Sequence, residues 1–195
     1  MRLSPRFEAA LVRATQLHAG QMRKGTKEQK RNGTEIPYVS HLLGVSSLVL
    51  ELGGTEDQAI AGLLHDTVED QGGLKTLERI KDHFGSGVAD IVDHCTDAYE
   101  EPKPEWRPRK EKYIAEIANM PLEAKLVSCA DKLHNARAIL SDLREVGDDL
   151  WSRFTGKKDG TLWHYQSLVV AFGKAFPGRL TDELRRTVEE IERLA

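Results

Sequence analysis

Apolar residues along this chain recur three and four positions apart, the period of an α-helix, and runs with the two-residue period of a strand are scarce. That spacing leaves an all-α fold. Phe7, Ala10, Leu11, Ala14 and Leu17 form the first stripe, opening after Ser4-Pro5 as a cap and a first-turn proline. Pro37 is expected to open a second helix that runs to about Leu52 and stops at Gly53-Gly54. Thr55 caps a third, with Gln58 completing a capping box. Further helices are predicted over 74–84, 87–97, 108–119, 122–145, 163–175 and 181–194. The polar or proline-rich stretches 22–36, 99–108 and 146–162 read as surface loops, where binding residues often sit on a helical scaffold.

With 195 residues, 39% of them hydrophobic, and no internal repeat or break in composition, the chain 1–195 reads as one domain with core enough to fold unaided. A net charge of −3 argues against an indiscriminate nucleic-acid binder, which carries a basic surplus, and leaves a small anionic nucleotide open. Cys95 and Cys129 fall in predicted helices and read as reduced core thiols, the usage of a cytosolic protein. No run approaches the roughly 18 apolar residues that cross a bilayer, and the first twenty residues lack a signal-peptide core. A cytoplasmic protein without membrane attachment is expected. The oligomeric state has no signature in the sequence.

The chemistry concentrates in three of the helices. From Ile36 to Leu50 no residue carries a formal charge, so that helix is expected to be buried most of the way round, yet it contains His41. Alone, His41 fits a hydrogen-bonded core histidine or a ligand. The third helix ends its apolar run, Ala59 to Leu64, directly in His65-Asp66, and Glu69 and Asp70 follow one turn later. A buried carboxylate needs a cation, a strong donor or a metal ion. Carboxylates this close repel unless positive charge sits among them, which favours a divalent metal over a helix end decorated with solvated acids. In the helix at 122–145 one face holds Leu126, Cys129, Leu133 and Leu140, and the opposite face holds small or uncharged residues except Asp131, with Asn135 one turn beyond. Asp131 is then an interior ligand or an acid satisfied by backbone donors. Together His41, His65, Asp66 and Asp131 make a mixed nitrogen and oxygen set suited to a divalent ion such as Mn²⁺, and no nearby thiolate argues for structural zinc.

In this order, His41, His65-Asp66 and Asp131 match the H…HD…D signature of the HD-domain metal-dependent phosphohydrolases. PYVSH at 37–41, HDTVED at 65–70 and ADKLHNAR at 130–137 resemble the hydrolase domain of RelA/SpoT-type enzymes and the small alarmone hydrolases. FTGKKDGTLWHY at 154–165 looks like the bacterial small alarmone hydrolases. The likeness spans roughly residues 6–175. It implies an HD-domain helical bundle that removes pyrophosphate from the 3′ position of guanosine or adenosine polyphosphate alarmones with Mn²⁺. By the same resemblance His41, His65, Asp66 and Asp131 hold the metal, Glu69 and Asp70 orient and deprotonate water, and Asn135 contacts the ribose and metal side. Arg23 and Lys24 correspond to the basic pair that packs on the purine, a role a guanidinium plane suits. Lys103, Arg107, Arg109 and Lys110 are candidates for the 5′ phosphates. Trp163 and Tyr165 read as core aromatics.

Two departures stand out. Leu42 follows His41 where the family usually has proline, and the insert GTKEQKRNGTEI at 25–36 is longer than the usual link. Two rivals share the same residues: an HD phosphohydrolase acting on another nucleotide, such as NADPH or a nucleoside monophosphate, and a non-catalytic nucleotide-sensing module. The Glu69-Asp70 pair speaks against the sensor, which needs a metal cage but no water-activating acids.

Overall fold

Helices carry about three quarters of the chain, of which the computed structural model describes residues 2–25, 27–100 and 102–195. In chain order they are α1 (Pro5–Leu17), α2 (Lys27–Asn32), α3 (Val39–Glu51), α4 (Glu56–Leu64), α5 (Thr67–Asp70), α6 (Leu74–Phe84), α7 (Ser86–Cys95), α8 (Trp106–Glu116), α9 (Leu122–Val146), α10 (Lys157–Ala175) and α11 (Arg179–Leu194), with 3₁₀ turns at Ile117–Asn119 and Gly147–Arg153. Among the described residues there is no strand, and an isolated antiparallel bridge joins Met22 to Pro37. Thr26 and Glu101, which fall in the first two predicted loops, lie outside the described residues.

The termini of the first helices follow from their caps. The Ser4 hydroxyl accepts from the Arg6 amide at the start of α1, and at α4 Thr55 and Gln58 bond reciprocally. α3 begins at Val39, two residues later than expected, because the segment before it is held elsewhere. The Arg23 amide donates to the Ile36 carbonyl (2.9 Å), and the Tyr38 amide donates to the Gln21 carbonyl (2.9 Å). These bonds and the Met22–Pro37 bridge form a short ribbon that ties residues 21–23 to 36–38.

α9 is the central element, packed against α3, α4, α7, α10 and α11. It is buried on two sides, with Val127 and Asp131 on one and Cys129, Leu133 and Leu143 on the other. α11 shows the opposite character: Leu180, Leu184, Val188 and Ile191 cover one stripe and charged residues cover the rest.

Three expectations need correction. The stretch 22–36 contains the short helix α2, and 146–162 is mostly ordered as the 3₁₀ turn and the first turns of α10, which starts at Lys157 instead of near 163. Glycines suggested a loop there, but they serve packing. A Cβ at Gly156 would lie 2.7 Å from the Trp106 ring and one at Gly160 would lie 3.3 Å away, so both admit that indole. The third correction is that HDTVED is not a continuation of α4. The helix stops at Leu64, His65 and Asp66 form a turn, and Thr67–Asp70 make the separate helix α5.

Candidate metal centre and nucleotide cavity

Two helices and a turn bring two imidazoles and two carboxylates to one point. α3 supplies His41, the turn after α4 supplies His65 and Asp66, and α9 supplies Asp131. His41 Nε2 lies 3.2 Å from His65 Nε2, 3.4 Å from Asp66 Oδ2 and 3.2 Å from Asp131 Oδ1. His65 Nε2 lies 3.0 Å from Asp66 Oδ2 and 3.6 Å from Asp131 Oδ1. His41, His65 and Asp131 are buried, and Asp66 faces the cavity edge with a fifth of its side chain exposed.

The donor chemistry of this cluster fits a divalent cation. His65 Nδ1 lies 2.9 Å from the Gly62 carbonyl, which only accepts, so the neutral ring is protonated there and Nε2 presents its lone pair to the common point. His41 Nδ1 lies 2.9 Å from His134 Nδ1. Burial and then His41 hold the His134 imidazole down to about 4, which keeps it neutral and able to accept from His41. That leaves His41 Nε2 as a second lone pair. Burial opposes charge on His65, but Asp66 and Asp131 outweigh it and raise its pKa well above the ordinary value. Burial likewise opposes charge on Asp131, and Lys132, His41 and His65 hold its carboxyl well below the usual range. The acids thus already draw positive charge into the site.

Three supporting residues escaped the sequence reading, though all of them stand inside its motifs. Tyr38, in PYVSH, donates its hydroxyl to Asp66 Oδ2 (2.6 Å), and burial with that carboxylate keeps the phenol protonated. His134, in ADKLHNAR, orients His41 and fits only because residue 44 is glycine: a Cβ there would sit 2.2 Å from His134 Nε2. A glycine one turn after His41 in an otherwise bulky helix was the available signal. Lys132 bonds Asp131 Oδ2 at 2.6 Å while its ammonium lies over the Tyr113 ring.

A cavity of about 550 Å³ opens from this cluster and reaches the loop after α1 on one side and α8 and α10 on the other. Glu69 and Asp70, on α5, line it beside Asp66. Lys103 bonds both, at 2.7 Å to Glu69 Oε1 and 3.1 Å to Asp70 Oδ1. Burial and the neighbouring Asp97 raise the Glu69 pKa, against the pull of Lys103.

The expected substrate-side residues divide. Arg23 lines the cavity, donates to Asn135 Oδ1 (3.0 Å) and lies near the Tyr38 ring, and Asn135 in turn donates to Asp131 Oδ1. Lys24 also lines it, its ammonium 5.5 Å from the Phe154 ring centre. Arg109 and Lys110 line it too, but both bond the buried Asp97, which the sequence reading missed because nothing around it forms a motif. Those two cations, with Lys103, hold that carboxyl and the α5 acids. Arg107 is elsewhere: its guanidinium stacks on Trp163 at 3.3 Å and bonds Glu111. Trp163 is therefore a half-buried surface partner of Arg107, whereas Tyr165 is buried in the cavity wall.

A helical scaffold that gathers H…HD…D from α3, the turn after α4 and α9 defines an HD domain. The HD-domain family model matches residues 10–162, and the chain belongs to that family. Among named proteins it is 41% identical over 129 residues to the guanosine-3′,5′-bis(diphosphate) 3′-pyrophosphohydrolase MESH1 of Xenopus tropicalis, which covers 65% of this chain and 67% of that one. To the protein of the same name in Homo sapiens it is 35% identical over 132 residues, 67% of this chain and 69% of that one. The structure also resembles a solved metazoan ortholog of SpoT, described as hydrolysing ppGpp. That match has a TM-score of 0.73 and 29% identity, and covers 99% of this chain and 97% of the other.

Proposed function

We propose that this chain, as one HD unit over 1–195, hydrolyses the 3′-pyrophosphate of guanosine or adenosine 3′,5′-polyphosphates. The products are a nucleoside 5′-di- or triphosphate and pyrophosphate. The observation that carries this is the placement of the Glu69-Asp70 pair in a single cavity, between the His/Asp cluster and a wall of basic side chains. The named relatives support the substrate.

His41, His65, Asp66 and Asp131 would hold a divalent ion, Mn²⁺ by its fit to mixed nitrogen and oxygen donors. When bound, such an ion neutralises phosphate oxygens and lowers the pKa of water. Arg23 and Lys24 hold the purine, and Asn135 meets the ribose. Lys103, Arg109 and Lys110 exchange carboxylate partners for phosphate oxygens. A water oxygen then bonds to the phosphorus on O3′, and Glu69 or Asp70 takes its proton as the P–O3′ bond breaks and O3′ is protonated. The raised pKa of Glu69 makes its carboxylate a stronger proton acceptor than an ordinary one. In this reading the protein works in the cytoplasm on a small nucleotide, without nucleic acid or membrane. Among the described residues no helix is long and apolar enough to cross a membrane.

The test incubates Mn²⁺-loaded protein with ppGpp, ppApp and NADPH and identifies the released species. Pyrophosphate from ppGpp or ppApp is expected; orthophosphate from NADPH alone overturns the reading. Glu69→Gln lowers kcat by about 10²–10⁴-fold with the fold intact.

A further inference from the structure

Asp70 is held from behind by a residue outside the recognised motifs. Gln21, just past the end of α1, donates from Nε2 to Asp70 Oδ2 at 2.8 Å. Its Oε1 accepts from Gln71 Nε2 at 3.2 Å and faces His18 Nδ1 at 2.6 Å. An ionised carboxylate only accepts, so the Gln21 amide must turn its NH₂ to Asp70 and its carbonyl to His18. His18 then carries its proton on Nδ1 and presents Nε2 to the Thr67 hydroxyl, 3.5 Å away. The imidazole has no room to rotate, because it is buried and stacks on Tyr38 with ring centres 5.3 Å apart and planes 17° apart. The Gln21 backbone is fixed as well, its amide bonded to the His18 carbonyl (3.0 Å) and its carbonyl to the Tyr38 amide (2.9 Å). By contrast Lys103, on the other oxygen of Asp70, is a third exposed and reaches in from a loop.

We propose that Gln21, locked by His18, is a positioning residue for Asp70: it pins Oδ2 and leaves Oδ1 as the oxygen free to exchange Lys103 for the reacting water. The inference rests on Asp70 being one of the water-activating pair. Gln21 lies two residues before Arg23 in the same ribbon, so the segment expected to grip the purine also aims the acid.

The test compares wild type, Gln21→Met, Asp70→Asn and the double variant, with Mn²⁺ and ppGpp. Gln21→Met is expected to lower kcat on the order of 10–100-fold through misplacement of the acid, with KM and the bound Mn²⁺ per chain unchanged. In the Asp70→Asn background the same change should cost nothing further. Equal losses in both backgrounds, or unchanged kcat in Gln21→Met, overturn the inference. If Asp70→Asn leaves kcat unchanged, the assignment of Asp70 has failed and the inference falls with it. If Asp70→Asn is impaired and Gln21→Met is not, the inference alone fails. Should Asp70→Asn be too slow to read, Gln21→Met decides alone, since it removes the donor at similar length without adding a charge: retained kcat overturns the proposal. Should the Gln21 variants fail to fold, His18→Phe keeps the stack on Tyr38 and removes the Nδ1 proton, and the same kcat-selective loss is expected; unchanged kcat overturns it.

Discussion

The outer face of α11 and the interior around α9 use the same charged residue types to opposite effect. On α11, Arg185 bridges Asp182 and Glu189, and Arg193 bonds Glu190. Arg193 and Arg144 hold the Glu190 carboxyl down to about 2, yet these groups stay in water, where such pairs contribute little to stability. Around α9, Lys132 and Asp131 meet at 2.6 Å with both side chains largely buried, so each charge leans on its partner far more than on water. Geometry alone does not separate the two cases. Burial does, and it turns the interior pairs into dependencies.

That contrast is breakable by substitution. The largest effect is expected from His65→Ala, which removes one of four converging donors. Turnover and Mn²⁺ affinity should fall by more than the roughly 10–100-fold typical of losing an outer partner of a metal ligand; calorimetric titration with Mn²⁺ checks it. Next, Lys132→Met removes the lysine from the buried Asp131, leaving it Asn135 and the two imidazoles, and should cost up to about 3–5 kcal/mol in urea unfolding measured without metal. A smaller, pH-dependent effect belongs to His164. Burial and the nearby Lys110 hold its imidazole down to about 2, so below about pH 6.5 the unfolded chain binds a proton that the folded chain refuses. Stability therefore drops as pH falls through 6.5. His164→Gln should flatten that slope by up to about 1.4 kcal/mol per pH unit between about pH 6 and 4, read from urea midpoints. Last, Arg193→Ala on the outer face should leave Tm unchanged; a clear drop would erase the distinction between the two regions.

How much of this was legible follows the range of the interactions. Caps are local, so Ser4-Pro5 and the Thr55–Gln58 box located the starts of α1 and α4. Burial of α9 on two faces showed in its spacing, and the order H…HD…D anticipated which side chains would converge. Pairings across the fold left no local trace. Asp97 closes a predicted helix, and nothing near it announced that it would take up Arg109 and Lys110. Gly156 and Gly160 signalled a loop because glycine is a poor helix former, while their actual task, making room for Trp106, depends on a residue about fifty positions away. The break between α4 and α5 was invisible for a related reason: residues 65–70 contain neither glycine nor proline, so the turn at His65-Asp66 is imposed by tertiary contacts.

The ribbon joining residues 21–23 to 36–38 has a consequence for how this protein can change. Both legs are clamped by their own backbone bonds, so the span between them can grow or shrink at slight entropic penalty, about 0.6 kcal/mol for each doubling of a flexible loop. Length variation at the mouth is thereby insulated from the acids beneath it. Related chains are free to try new rims for new ligands while the hydrolytic machinery stays where it is.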